Sequence, residues 1–177
     1  MSTTKRQDDA RIAMLAIAVI LVDQLTKLLV LKFLGFAEQR EIVHGFFRLV
    51  HWGNTGAAWS MLTGHNGVLA IVAFVAAIIL VFARHHFDPH TLGGQIALGL
   101  IFGGIIGNLI DRLMPSRRHV IDFLYFYVIR RDETEAGFPA FNVADSAICV
   151  GVGLLFILSW RTSSSPAVRP QSGHLSR

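Results

Sequence analysis

The sequence contains few charged residues and a single cysteine. Only 16% of its 177 residues are Asp, Glu, Lys or Arg, whereas an average soluble domain has about 25%. This shortage argues against a water-soluble domain. Because Cys149 has no partner cysteine, the chain has no internal disulfide. A catalytic thiol is not favoured either, since Cys149 lies inside an apolar run, where we expect a small buried side chain.

Motifs for metal binding and for nucleic-acid binding are also missing. The sequence has neither Cys-x-x-Cys nor His-Glu-x-x-His, so we expect no metal and no other cofactor. The net charge of +4 and the pI near 9.8 come from basic residues scattered in loops and at the ends of apolar blocks. Basic residues anchor membrane proteins at such places. We therefore expect no nucleic-acid partner.

Apolar residues make up 53% of the chain, and the mean hydropathy is +0.51. They gather in four blocks, and about 20 apolar residues cross a membrane core of about 30 Å. The prediction is an all-α membrane protein, a four-transmembrane-helix bundle forming a single integral membrane domain over residues 1–177. The predicted spans are 12–34, 67–83, 92–113 and 143–160, and the polar ends, 1–10 and 162–177, are expected to be disordered tails.

The connection between the first two blocks has a different composition. Residues 41–52 are rich in β-branched and aromatic residues with partial alternation, which predicts a small surface β-rich segment between helices 1 and 2. The segment is followed by Asn54, whose carboxamide can both donate and accept. Gly56 lies among small residues that let the backbone approach another group closely.

Two apolar blocks carry polar or small residues in a regular pattern. Asp23 and Lys27 interrupt the first block four residues apart, acid first, and share a helix face. They are either a self-neutralising pair near the membrane interface or a support for a polar site. The third block carries Gly99, Gly103 and Gly107, a spacing typical of tight helix packing.

Further polar residues end the third block and begin the fourth. They are Asn108, Asp111, Arg112, Asp122, Asn142 and Asp145. Ionisable groups at membrane depth cost free energy unless they are paired or hydrated. We therefore interpret these residues first as part of a functional site. Asn142 and Asp145 are also spaced as a helix cap with an acid at the positive end of the helix dipole.

The number of predicted spans indicates that these residues lie on the same side of the membrane. With four spans, the first and third connections lie on the same side of the membrane, together with the Asp23–Lys27 end of the first block. Basic residues are divided evenly between the two sides, so the positive-inside rule does not choose an orientation.

Two carboxylates in a site of low dielectric share a proton and titrate as a unit. Asp122 and Asp145 could therefore activate a water and protonate a leaving amine, which is amide hydrolysis of the aspartic-protease type. Asp111, with Arg112 beside it and Asn108 within a turn, is predicted to be part of a scaffold and substrate clamp.

The polar motifs, in this order along the chain, resemble those of lipoprotein signal peptidase, the type II signal peptidase of bacteria. The matching stretches are Asp23–Lys27, Asn54–Ala58, Gly104–Arg112, Val120–Phe123 and Phe141–Ser146. Two features depart from the family pattern. Trp59 stands where Phe is more usual, and residues 128–137 form a longer, more charged segment, whose conformation the sequence does not indicate.

The resemblance implies an aspartic endopeptidase of the bacterial plasma (inner) membrane. It would remove the signal peptide from diacylglyceryl-modified prolipoproteins, cutting just before the lipidated cysteine. Asp122 and Asp145 would be catalytic; the residues lining the site would be Asn54, Gly56, Asn108, Arg112 and Asn142; and the supporting residues would be Asp23, Lys27 and Asp111. The expected partners are the prolipoprotein substrates and membrane lipids, and we expect a monomer. The family also implies cytoplasmic tails and an active site near the outer face.

Three other classes of protein remain open from the residues alone. Intramembrane carboxylates also mark small transporters and proton relays. A structural membrane subunit could use the same polar residues only to hold its helices together. A metallopeptidase could combine the three aspartates with His119 or His51.

Overall fold

The computed structural model describes residues 3–56 and 64–163, which form four long helices and a four-stranded sheet. In chain order the elements are α1 (Thr3–Phe33), β1 (Gln39–Val43), β2 (Phe47–Asn54), α2 (Asn66–Ala83), α3 (Leu92–Leu113), β3 (Val120–Ile129), β4 (Glu135–Gly137) and α4 (Val143–Ser163). A 3-10 turn, Arg84–His86, follows α2. Each helix is long and apolar enough to cross a membrane, so the chain is a multi-pass membrane protein. The predicted four-helix fold class is confirmed.

Helix α3 lies at the centre and packs against the other three helices. The predicted glycine seam is what allows this close packing. A Cβ added to Gly103 of the seam would lie 2.6 Å from the Cβ of Val19 on α1. Gly104, beside the seam, allows the same close approach to α4, because a Cβ there would collide with the carbonyl oxygen of Ala144. Side chains of any size at these positions would push the helices apart.

The outer faces of α1, α2 and α4 carry exposed apolar side chains, as expected where lipid replaces water. Cys149 of α4 is also exposed, so the prediction of a buried thiol was wrong. The cause is that the apolar residues of a membrane helix do not all point into the protein.

The sheet is antiparallel, in the order β1-β2-β3-β4. Strands β1 and β2 confirm the predicted β-rich segment between helices 1 and 2, but β3 and β4 were missed. Asp122 therefore lies in a strand, opposite Trp52 of β2. The run of β-branched and aromatic residues after Asp122 carried the signal for this strand. Within β3, Ile121 and Phe123 pack against Val30 of α1, which holds the sheet at one end of the bundle.

Helix α1 begins at Thr3, so most of the N-terminal tail predicted to be disordered is helical. Its first turns are held by side chains at the start of α3 and just before it. The carboxylate of Asp8 accepts a hydrogen bond of 2.8 Å from Nε2 of Gln95 and lies 2.8 Å from Nδ1 of His90. Asp9 pairs with Arg84 at 3.0 Å. Helix α4 reaches Ser163, whereas the rest of the predicted C-terminal tail, and Trp59, lie outside the described residues.

Candidate active site

A cavity of about 940 Å³ lies where the sheet meets the ends of α3 and α4. It contains six of the polar and small residues singled out from the sequence, which come from four different elements or their connections. The lining residues are Trp52, Gly53, Asn54, Thr55, Gly56, Asn108, Arg112, Val120, Asp122, Tyr125, Gly137, Phe138, Pro139, Ala140, Phe141, Asp145, Ser146, Ile148 and Cys149. The predicted gathering of polar residues at one end of the bundle is therefore observed.

Strand β3 places Asp122 in the wall of this cavity with only 4% of its surface exposed. One carboxylate oxygen, Oδ2, accepts from Nδ2 of Asn54 at 2.9 Å, and the other accepts from Nδ2 of Asn142 at 2.8 Å. Burial, followed by the charge of Asp145, raises the pKa of Asp122 to about 7, although the two amide donors oppose this rise. Asp122 can therefore hold a proton near neutral pH.

Asp145 and Asn142 begin α4 as a reciprocal cap. The amide nitrogen of Asp145 donates to Oδ1 of Asn142 at 2.9 Å, and the amide nitrogen of Asn142 donates to Oδ2 of Asp145 at 3.2 Å. Nδ2 of Asn108 donates to the other oxygen of Asp145 at 2.7 Å. The predicted cap is confirmed, and because Asn142 also contacts Asp122, it joins the two acids. We call Asp122 and Asp145 the aspartate pair.

Beneath the aspartate pair lies a set of fully or nearly buried charges. We call it the buried ion network; its members are Asp23, Lys27, Asp111 and Arg117. Nζ of Lys27 lies 2.8 Å from Asp23 and 2.7 Å from Asp111, and none of these three side chains is exposed. The other oxygen of Asp23 accepts from the amide nitrogen of Ala144 at 3.0 Å. Of the two interpretations left open for Asp23 and Lys27, the contacts favour support of the site.

Arg112 and Asp111, which were predicted to belong to one scaffold and substrate clamp, have different partners. Nη2 of Arg112 donates to the carbonyl oxygen of Gly56 at 2.8 Å, and its Nη1 donates to Oδ1 of Asn66 at 3.0 Å. Gly56 is held on its other side, since its amide nitrogen donates to Asn54 at 2.8 Å. Arg112 thus fixes the backbone at the cavity wall, while Asp111 pairs with Lys27 and Arg117.

A family profile described as "Signal peptidase (SPase) II" matches residues 15–161. The chain belongs to this family. It is therefore a protease, and the resemblance seen in the sequence motifs is confirmed.

Individual relatives support this assignment. The chain is 46% identical over 144 residues to the lipoprotein signal peptidase of Symbiobacterium thermophilum, covering 81% of this chain and 90% of that one. It is 38% identical over 146 residues to the lipoprotein signal peptidase of Bacillus subtilis, covering 81% and 89%. A solved structure described as "Bacterial membrane enzyme structure by the in meso method at 2.3 A resolution" superposes with a TM-score of 0.72 at 31% identity, covering 85% and 88%.

Gln24, Asn66 and Arg117 also contact site residues of this protease, although the sequence did not predict them as part of the site. Gln24 donates through Nε2 to the carbonyl oxygen of Gly107 at 3.1 Å and to Oδ1 of Asp111 at 3.3 Å. Asn66, at the start of α2, exchanges hydrogen bonds with Arg112. Arg117 pairs with Asp111. Gln24 lay within a motif already noted, whereas nothing in the sequence singled out Asn66 or Arg117.

In the described part of the chain, no group of three or more His, Cys, Asp or Glu side chains is arranged to hold a metal ion. The two histidines of the metallopeptidase alternative have other neighbours. Nδ1 of His51 lies 3.0 Å from the carbonyl oxygen of Leu34, and the ring of His119 lies edge-on to Phe36 with 6.4 Å between their centroids.

Proposed function

We propose that this protease removes the signal peptide from diacylglyceryl-modified prolipoproteins, cutting just before the lipidated cysteine. The observation that carries the proposal is the aspartate pair, with Asp122 buried and Asp145 half-buried at the wall of one large cavity, joined through Asn142. We propose the pair as the catalytic residues of an aspartic mechanism.

The chemistry begins with one proton on the pair. With that proton on Asp122, the carboxylate of Asp145 takes a proton from water as the water oxygen attacks the scissile carbonyl carbon. Asp122 gives its proton to the carbonyl oxygen, which leaves a neutral tetrahedral diol. The C–N bond then breaks as Asp145 protonates the amine and one diol hydroxyl returns its proton to Asp122. The pair ends in its starting state.

The surrounding side chains suit an extended peptide next to the aspartate pair. The carboxamides of Asn54 and Asn108 and the guanidinium of Arg112 line the cavity and are assigned to hold the substrate backbone. Aromatic side chains such as Trp52, Tyr125 and Phe141 line other parts of the wall. Such surfaces suit an apolar signal helix and acyl chains, because burial of apolar groups favours their binding.

The same proposal includes the setting of the enzyme. We assign it to the bacterial plasma (inner) membrane as a monomer in contact with membrane lipids, with both tails cytoplasmic and the cavity near the outer face. The apolar outer faces of the helices suit direct contact with lipid. A substrate held by its own signal helix in the bilayer could then reach the cavity sideways.

The transporter alternative requires polar groups along a whole crossing. On α3 the buried residues between Gln95 and Asn108 are all apolar or glycine: Ala97, Leu98, Gly99, Ile101, Gly103, Gly104 and Gly107. The polar groups buried at the two ends of this central helix are therefore separated by an apolar stretch. This observation and the family membership favour the peptidase.

The test is cleavage of a purified diacylglyceryl prolipoprotein in detergent by the wild type, Asp122→Asn and Asp145→Asn. We expect each variant to cleave at least about 1,000-fold more slowly and to remain folded in thermal unfolding. Mass spectrometry should show that the wild-type product begins at the lipidated cysteine. The matched control is Asp132→Asn, because Asp132 is an exposed aspartate after β3 whose side-chain hydrogen bonds, within the described part of the chain, stay in its own turn; this variant should cleave normally.

Two results would refute the proposal. One is a wild-type cleavage rate in either variant of the aspartate pair, which would remove these residues from the catalytic role. The other is equal cleavage of the same prolipoprotein without its diacylglyceryl group, which would refute the substrate assignment while leaving the aspartic mechanism in place.

A further inference from the structure

Arg117 belongs to the loop between α3 and β3, yet only 8% of its side chain is exposed. Its Nη1 lies 2.5 Å from Oδ1 of Asp111 and donates to Oε1 of Gln24 at 3.2 Å. A tight turn explains this position. The amide nitrogens of Arg117 and Arg118 both donate to the carbonyl oxygen of Met114 at 3.0 Å, and Arg118 has a φ of +54°. The turn sends the Arg117 side chain back towards the end of α3.

Arg117 balances the charge of the buried ion network. The network has two carboxylates and two cations, and each oxygen of Asp111 has its own cation: Lys27 at Oδ2 and Arg117 at Oδ1. Without Arg117, two buried carboxylates would share Lys27 alone. A buried charge without a partner is costly, so the remaining groups would rearrange or bind a proton.

The network reaches the aspartate pair through one carboxamide. Nζ of Lys27 donates to Oδ1 of Asn108 at 3.1 Å, and Nδ2 of Asn108 donates to Asp145 at 2.7 Å. The ammonium group therefore orients the amide: with its oxygen towards Lys27, its nitrogen must face Asp145. Loss of Arg117 would draw Lys27 towards Asp111 and weaken its hold on Asn108.

We propose that Arg117 is a positioning residue for the reaction, which sets the proton affinity of the aspartate pair through the buried ion network. The inference rests on the proposed function. Arg117 is not among the residues that line the cavity, so it should act on turnover and its pH dependence rather than on substrate binding.

The direction of the effect follows from charge. Arg117→Gln leaves the network with an excess negative charge, which makes loss of a proton from the nearby pair less favourable. The acidic limb of kcat/KM against pH should move to higher pH by on the order of half a unit, which is about a threefold loss of the ionised fraction on that limb. KM should not change.

Other charged or titratable groups near the pair are Tyr125 of β3, Arg112 of α3 and His119, whose ring lies over Gly53. None of them contacts Arg117 among the bonds of the described residues. The substitution of Arg117 therefore alters the field at the pair through the buried ion network.

The experiment measures kcat and KM against pH, from about 4 to 9, for cleavage of a diacylglyceryl prolipoprotein by the purified full-length protein in detergent. The variants are Arg117→Gln, Arg117→Lys and Arg118→Gln. We expect a shift of the acidic limb to higher pH in Arg117→Gln and recovery of the wild-type profile in Arg117→Lys, which restores the charge. Arg118 is exposed, and its variant should match the wild type.

A second variant, Asp111→Asn, should move the pH profile in the opposite direction. It also tests the inference if Arg117→Gln cannot be purified in a folded form. Asp111→Asn leaves the network with an excess positive charge, so its acidic limb should move to lower pH.

A merely structural role for Arg117 would lower the melting temperature and the amount of active enzyme without moving the profile. An unchanged profile in Arg117→Gln, or equal shifts in Arg117→Gln and Arg118→Gln, would overturn the inference, and so would an unchanged profile in Asp111→Asn. Loss of cleavage in Asp145→Asn alongside such a result would leave the proposed function standing.

Discussion

The carboxamide of Asn142 caps helix α4 and holds Asp122 at the same time. Its oxygen accepts from the amide nitrogen of Asp145 at 2.9 Å, and its nitrogen donates to Oδ1 of Asp122 at 2.8 Å. One fully buried side chain thus ties the first turn of α4 to strand β3. The start of the helix and the placement of the aspartate pair depend on the same group.

Substitutions of Asn142 should separate these two roles. Serine can still cap the helix, but it lacks the amide that reaches Asp122, whereas alanine can do neither. We expect Asn142→Ser to be about 1 kcal/mol more stable than Asn142→Ala. Both should cleave about 100-fold more slowly than the wild type, because both remove the amide that donates to Oδ1 of Asp122 and leave only the Asn54 donor at Oδ2. Thermal unfolding and steady-state rates in detergent measure the two effects, and full activity of Asn142→Ser would contradict the second role.

Lys27 should be essential for stability. Its ammonium group separates Asp23 from Asp111, and all three side chains are completely buried. Lys27→Met leaves two buried carboxylates facing each other, and removal of one partner from a buried pair costs about 3–5 kcal/mol. The matched control is Lys32→Met, since Lys32 is an exposed lysine on the same helix. Equal unfolding free energies for the two variants would show that the buried charges do not stabilise the fold.

Close packing of α3 on α4 should depend on Gly104. A methyl group there collides with the carbonyl oxygen of Ala144, which lies next to Asp145. Gly104→Ala should lower the unfolding free energy by about 1–3 kcal/mol and reduce cleavage by displacing the start of α4. The matched control is Gly153 of α4, where an added methyl group would meet nothing within 4 Å. Gly153→Ala should therefore unfold and cleave as the wild type does. The melting temperatures of the two variants test this difference.

Stability should fall with rising pH because of Asp122. Burial and the charge of Asp145 raise the pKa of Asp122 to about 7 in the folded protein, against about 4 in the unfolded chain. Between these values the folded protein keeps a proton that the unfolded chain has lost, so stability decreases from about pH 4 to pH 7 and levels off above.

The variant Asp122→Asn removes this titration. Its unfolding free energy should change less between pH 5 and pH 8 than that of the wild type, by on the order of 2 kcal/mol. Chemical unfolding in detergent at the two pH values measures the difference. Parallel pH dependences in the two proteins would show that Asp122 titrates normally in the folded state.

The four spans and the polar residues of the site could be predicted because their signals are local. Apolar length marks a span by itself, and a carboxylate next to an apolar helix is conspicuous at any position. The cap formed by Asn142 and Asp145 was predictable for the same reason, since it needs only a spacing of three residues.

Contacts between distant segments were harder to predict. The sequence shows that Asp111 precedes Arg112, but only the helical rotation of α3 reveals that Arg112 faces Gly56 and the cavity. The first turns of α1 likewise depend on distant side chains, because Gln95 of α3 binds Asp8 and Arg84, just after α2, pairs with Asp9. Neither partner can be identified from its own neighbourhood in the chain.

By itself, the sequence determined that this protein crosses the membrane four times and carries Asp111, Asp122 and Asp145 at one end of the bundle, because apolar length and the parity of the spans are properties of the chain alone. Only the tertiary structure decided which charges meet. It joined the aspartate pair through Asn142 and placed Arg117 on Asp111. The physical reason is that a buried charge must find its partner in space, and a turn or a helix face can bring that partner from any part of the chain.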